Sequence, residues 1–395
     1  MKSVFVTALF ALGLFAQETD LRSLLDAAVR SDAAQMQLYD ARARMLQQRG
    51  ALLPGGVSVY AQAGYAEARD TPDNAVEYHV SVEKPFRTAS TATIENLLGA
   101  GSELAVRLGR ARLQNAVYGA YVDACTLQEE LWLIEDAHSR GTAMEQLIRT
   151  GMEGGEFDRS AWLRSRLNVQ TLTLRIDELK SRSAETLQRL GAATQTDITS
   201  LRCSDLSDTI TLPPQQTLAD APLLLQLENR AAGADAMKAY RDTWLQEITV
   251  GAEYDDEMDV RRGIVFASIP LGFGSRIEND RESARLSALA AAAELRTMRR
   301  DLAARIAAFT SAQQTRKTNL QRLNDELIPE AYETTVLLQE RFMGSEASYL
   351  EYIDSQKALF ALLMEGVQLR ASALKAEAEL FAELGIAPHL QKDKL

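Results

Sequence analysis

The sequence predicts a mainly α chain with membrane-type β-structure, built as two copies of one unit that pairs two strands with a long antiparallel helical hairpin. Three observations carry this: landmarks of the first half recur about 190 residues later, two regions alternate apolar and polar residues in strand fashion, and apolar residues recur at helical steps over very long runs. Tyr65 closes the run VSVYAQAGY and Tyr254 closes ITVGAEY, an offset of 189. Ile94, Glu95 and Asn96 return as Ile277, Glu278 and Asn279 at 183, and GEFDRSAWLRSR from Gly155 returns as SEASYLEYIDSQ from Ser345 at 190. Three offsets this close indicate duplication of a whole structural unit.

Residues 1–16 precede the first copy. Lys2, the apolar stretch Val4 to Phe15 and then Ala16 read as a secretory signal, with the mature chain starting near Gln17. No Cys follows the expected cut, so the signal predicts no lipid anchor. The first copy spans 17–202, with a strand pair at 57–84 and a hairpin tip near 155. The second spans 223–395, with a strand pair at 247–270 and a tip near 345. Between them, 203–222 carries Pro213, Pro214 and Pro222 among Ser and Asp, and reads as a linker that cannot be continuous helix.

The helices follow from periodicity. No Pro occurs between about 90 and 150, and Leu127, Leu131, Ile134, Met144 and Leu147 keep an apolar stripe. In the return run, Leu172, Ile176, Leu179, Leu187 and Leu190 have coiled-coil spacing. The second copy repeats this with Leu302, Ile306, Phe309, Leu320, Leu323 and Leu327 in a descending helix, and 353–384 as its returning partner. At about 1.5 Å per residue, a sixty-residue helix reaches on the order of 90 Å and must project from any globular body.

In the first strand pair Val57, Val59, Ala61, Ala63 and Tyr65 alternate with Ser58, Tyr60, Gln62 and Gly64. After the turn-like RDTPDN, Val76, Tyr78, Val80 and Val82 alternate with Glu77, His79, Ser81 and Glu83. Ile248, Val250, Ala252 and Tyr254 repeat the pattern. One apolar and one polar face over about ten residues per strand suits a membrane barrel; a one-sided sheet packed on a soluble core alternates in the same way, and a single hairpin leaves both open. Four strands cannot close, and open edges cannot lie in lipid. If they span a bilayer, several copies must pool their strands. Eight strands make a plugged barrel and twelve leave room for a channel, so a pore favours three copies.

A net charge of -12 and a pI near 5.0 disfavour nucleic acid as a partner. Cys125 and Cys203 permit a disulfide in an oxidising compartment without implying one. There is no GxSxG, phosphate loop, HExxH or CxxC, so neither an enzyme nor a cofactor is expected. His79 lies between Glu77 and Ser81 in the polar register and is read as lumen lining together with Glu77 and Glu83. His138 and His389 lack ligand-spaced neighbours, and no metal is expected.

A signal, duplicated strand-pair and hairpin units, and paired turn motifs resemble the TolC-type outer-membrane factors, and the resemblance covers nearly the whole mature chain. The family motif runs roughly Gly-Glu-x-Ser-x-x-(Asp/Glu)-x-x-x-Ala-(Gln/Arg) at the end of each hairpin, here GEFDRSAWLRSR and SEASYLEYIDSQ, with LIPEAYETTVLLQERF and its Pro329 as the approach helix. Ala161 departs from the acidic position of the first motif, and Ser345 stands where Gly is usual, with Gly344 displaced by one. The resemblance implies a homotrimer in outer-membrane lipid: a 12-strand β-barrel, four strands per protomer, above a periplasmic tunnel of coiled-coil helical hairpins. It implies an exit duct for a tripartite efflux pump or type I secretion, docking a periplasmic adaptor (membrane fusion) protein and, through it, an inner-membrane transporter of the RND or ABC type. Gly155, Glu156, Phe157, Gly344, Ser345, Glu346 and Ala347 would be the docking tips. Glu351 and Asp354, three apart on one helix face, match the acidic positions that line the family's constricted periplasmic mouth. SYLEY in the second motif looks like the heavy-metal efflux branch. The alternatives are a periplasmic adaptor, which would carry one hairpin, and a soluble coiled-coil structural protein with a peripheral sheet.

Overall fold

The computed structural model describes residues 18–52, 55–67, 74–206, 221–243, 245–257, 260–269, 275–344 and 348–388. The expected signal, positions 207–220 of the linker, Ser345, Glu346, Ala347 and His389 lie outside the described residues. In chain order the elements are α1 (Leu21–Arg30), α2 (Asp32–Leu52), β1 (Ser58–Glu67), β2 (Asn74–Arg87), α3 (Ala92–Glu153), α4 (Arg159–Thr194), a short 3-10 turn (Cys203–Asp205), α5 (Pro222–Asp242), β3 (Glu247–Asp256), β4 (Arg261–Ser268), α6 (Ser275–Arg322), a π-turn (Leu323–Leu327), α7 (Ile328–Met343) and α8 (Tyr349–Leu384).

The two returning helices begin and end alike. The α4 N-cap is Asp158, whose side chain accepts from the Ala161 N–H at 2.7 Å; the α8 N-cap is Ser348, 190 positions on, in a capping box with Glu351. Both helices also end on a left-handed residue, Gln195 (φ 54) and Gly385 (φ 78), again 190 apart. The same N-terminal signal and the same C-terminal turn thus frame both returning helices. Pro222, read above as part of the linker, instead opens α5, where its fixed φ suits the first turn and its missing N–H loses nothing. Pro329 cannot continue the hydrogen-bond ladder, and the helix meets it with a π-turn at Leu323–Leu327 just before it.

The chain forms two compact units, one of 1–35, 110–215 and 306–395, the other of 36–109 and 216–305, so each takes stretches from both copies. In the first, Leu21, Leu24, Leu25 and Ala28 of α1 pack on Val117, Tyr121 and Val122 of α3, Leu190 of α4 and Leu374 and Ala378 of α8. A disulfide joins Cys125 to Cys203 beside this cluster, with Cα atoms 5.4 Å apart. The α3–α4 seam buries Leu127, Ile134, Ile176 and Leu179 as the spacing predicts. Leu147 is an exception, more than a third exposed, while Ile148 beside it is fully buried. Ile148 stands 14 positions after Ile134 and 21 after Leu127, so the buried stripe keeps the seven-residue repeat and Leu147 falls one position off it. The buried Gln313 amide of α6 donates to the Ala373 carbonyl of α8 at 2.8 Å.

Glu377 of α8 is pushed up to about 7 by burial, and Tyr118 of α3, also buried, is raised by desolvation and then by this carboxyl. Between its ordinary value and about 7 the folded chain holds a proton that the unfolded chain releases, so stability should fall as pH rises through that window, by at most about 3 kcal/mol. Glu377→Gln should flatten this slope and be the more stable form at pH 8 in denaturant titrations. An unchanged slope would show that Glu377 is ionised throughout.

Candidate functional site

All four strands lie in the second unit and form one antiparallel sheet of order β1-β2-β3-β4. The centre of the sheet pairs the two copies: β2 runs against β3 with Val80 opposite Tyr254 and His79 opposite Asp255. Register puts Val59, Ala61, Tyr65, Val76, Tyr78, Val80, Val82, Ala252, Tyr254 and Val265 on one face. That face is the open one: Val59 and Tyr65 are each 67% exposed and Val265 82%. On the other face Ser81 is only 7% exposed and Glu77, His79 and Glu83 are half-buried. A sheet packed on the apolar core of a soluble domain would bury its apolar face; here that face is open. Phe266 lies over Gly251 on the polar face, where a Cβ at 251 would come within 2.4 Å of the ring.

Among the described residues β1 and β4 each have one unpaired edge. Among the described residues no helix is long and apolar enough to cross a membrane.

On the polar face His79 Nδ1 lies 2.5 Å from Asp255 Oδ1 and 3.3 Å from Glu253 Oε1. The Tyr60 ring stands edge-on to the imidazole at 5.7 Å, and its hydroxyl donates to Gln62 Oε1 at 2.8 Å. Sequence reasoning saw His79 only beside Glu77 and Ser81. Its carboxylate neighbours come from β3, more than 170 positions away, and the alternation of Glu253 and Asp255 with the apolar residues of β3 is the signal that could have placed them on this face.

The hairpin ends belong to the first unit. Gly155 takes φ +84, which only glycine adopts without strain, and it turns the chain between α3 and α4. Gly155 and Glu156 are exposed, but the Phe157 ring turns inward over Gly151 and stacks on Phe342 at 5.4 Å. Phe342 stacks in turn on Tyr352 at 5.8 Å and meets Tyr349 at 6.0 Å, so one ring at the end of α7 ties the first hairpin's turn to the start of α8. Ile148 and Ile353 complete this cluster. Gly344 closes α7, exposed, with its N–H on the Glu340 carbonyl at 2.9 Å. Glu351 and Asp354 are exposed on α8. The Glu351 carboxylate accepts from the Ser348 N–H at 2.8 Å and from its hydroxyl at 3.0 Å, and these bonds hold it below the usual carboxylate range. Its first task is therefore capping the helix; Asp354 carries no such duty.

No family model and no curated protein matches the chain by sequence. Solved structures do. A membrane protein from Pseudomonas aeruginosa superposes with a TM-score of 0.76 at 18% identity, covering 93% of this chain and 90% of that one. The outer membrane protein VceC of Vibrio cholerae gives 0.74 at 15%, covering 93% and 97%, and CusC, described in terms of transmembrane channel formation, gives 0.74 at 15%, covering 94% of each. The chain has the TolC-type outer-membrane channel fold. Within that fold its long helices and four-stranded antiparallel sheet match what one protomer contributes, as the paired motifs imply.

Proposed function

We propose that three copies of this chain form an outer-membrane channel, the exit duct of a tripartite efflux pump or type I secretion system. The observation that carries this reading is the sheet: its apolar face is open, the polar residues of its two central strands are partly buried, and its two edges await strands. Three sheets joined edge to edge make twelve strands, satisfy every ladder, turn Val59, Val80 and Val265 to lipid and line a wet lumen with Glu77, His79 and Glu83. The long helices would lie in the periplasm, where Gly155, Glu156 and Gly344 are exposed for an adaptor to approach; Ser345, Glu346 and Ala347 are the further docking positions that the motif implies. Phe157 would act from beneath, holding the turn in shape. An inner-membrane transporter of the RND or ABC type would supply cargo and energy, and the duct would conduct passively, without catalysis.

The test is fractionation followed by electrophysiology. The mature protein should be found in outer membranes as a heat-modifiable trimer and conduct in planar bilayers; a soluble monomer without conductance removes the reading. The gate is tested through Asp354→Asn, because Glu351 also caps α8. The neutral variant should raise single-channel conductance several-fold and weaken block by multivalent cations, and unchanged values would take Asp354 out of the gate.

A further inference from the structure

We propose that His79, Glu253 and Asp255 form a binding site for a divalent first-row transition cation of the zinc, cobalt and nickel class. The three come from adjacent strands and share one face. His79 stands directly opposite Asp255, and Glu253 lies one diagonal step away, opposite Ser81. One ligand atom from each residue falls within 4.8 Å of the others.

The spacing suits an ion. Donors held at about 2.1 Å from a metal lie roughly 3.0 to 3.4 Å from one another in octahedral or tetrahedral arrangement. Nδ1 and the Glu253 oxygen are 3.3 Å apart already, and Nδ1 and the Asp255 oxygen, at 2.5 Å, need only a small side-chain rotation to open to that range. Charge points the same way. A neutral imidazole has a single N–H, so Nδ1 can satisfy at most one of two carboxylates, and even a protonated ring leaves the trio one negative charge in excess. A dication with two carboxylates and a neutral imidazole balances. Arg262, opposite Asp255 on the same face, directs its guanidinium to Glu257 at 3.6 Å.

One imidazole and two carboxylates select the borderline cations; thiolate-seeking ions find no sulfur here, and calcium wants six to eight oxygens. Gln62, opposite His79, and the Tyr60 hydroxyl that bonds it stand beside the imidazole as candidate outer partners. With three protein ligands, water fills the remaining positions and the ion stays exchangeable. Both strands belong to one chain, so the site does not depend on how copies assemble and its test is separate from that of the channel.

The full-length protein in detergent, stripped with chelator, is titrated with Zn²⁺ by calorimetry at pH 7.5 and physiological salt. One Zn²⁺ per chain is expected. His79→Gln and Glu253→Gln should each weaken binding at least tenfold, while His138→Gln, altering a half-buried histidine on α3 far along the chain from the strands, leaves it unchanged. Because a substitution in the sheet can disturb folding, Co²⁺ absorption on the unaltered protein gives a second readout, with visible bands that Zn²⁺ displaces. Absence of Zn²⁺ binding by the unaltered protein, or equal affinity in a folded His79→Gln variant, overturns the proposal: the cluster is then an ion pair only.

Discussion

Replacing Cys125 and Cys203 together by alanine should cost about 4 kcal/mol. The bridge spans 78 positions, and a closed loop of that size removes about this much chain entropy from the unfolded state. It also sits where other ties converge. Thr19 pairs with Leu201 in a short parallel bridge, and the Tyr121 hydroxyl donates to the Arg202 carbonyl one residue before Cys203. The exit of the first copy is thus clamped on both α3 and the start of the chain. Thermal unfolding of the oxidised protein should lie several degrees above both the double variant and the chemically reduced protein, and these two should coincide. If reductant leaves the transition unmoved, the bridge contributes nothing.

Phe342→Ala should cost about 3–5 kcal/mol, felt locally rather than across the molecule. Its ring is 3% exposed and touches Phe157, Tyr349 and Tyr352, contacts that carry stacking energy beyond area burial. Amide exchange should accelerate over 148–157 and 349–356 while α1 and its neighbours stay protected, and Phe342→Leu should recover about half the loss. Loss of protection throughout the first unit would show that the cluster is part of the main core. In the proposed channel, loosened hairpin ends should also raise the frequency of openings.

Much of this was legible because it is written in short-range chemistry. Alternation along β2 assigns both faces, and the steps of three and four in α4 mark its buried seam. The motif at 155 and 345 locates two helix starts through their capping residues, Asp158 and Ser348. What escaped is set by contacts across the chain. Sequence could permit a Cys125–Cys203 bridge but could not measure 5.4 Å. Phe157 lies in a turn motif and reads as exposed, yet a ring 185 positions away draws it inward. Pro222 carries the same local signal whether it ends a linker or begins a helix. Glu253 and Asp255 could be joined to His79 only by knowing that β2 runs against β3.

That last pairing makes completion of the sheet a late event. Strand β2 can take up β1 as soon as both have left the translocation machinery, but its other side must wait for residues near 247, after about 160 more have followed. Throughout that interval a greasy ribbon with bare backbone donors and acceptors is loose in a crowded compartment, the kind of intermediate that aggregates. Non-local strand pairing is slow even once the chain is whole. Biogenesis should therefore lean on an escort that shields residues 58–87 during export, and depleting such holding chaperones should lower yield before any weakening of the finished protein becomes visible.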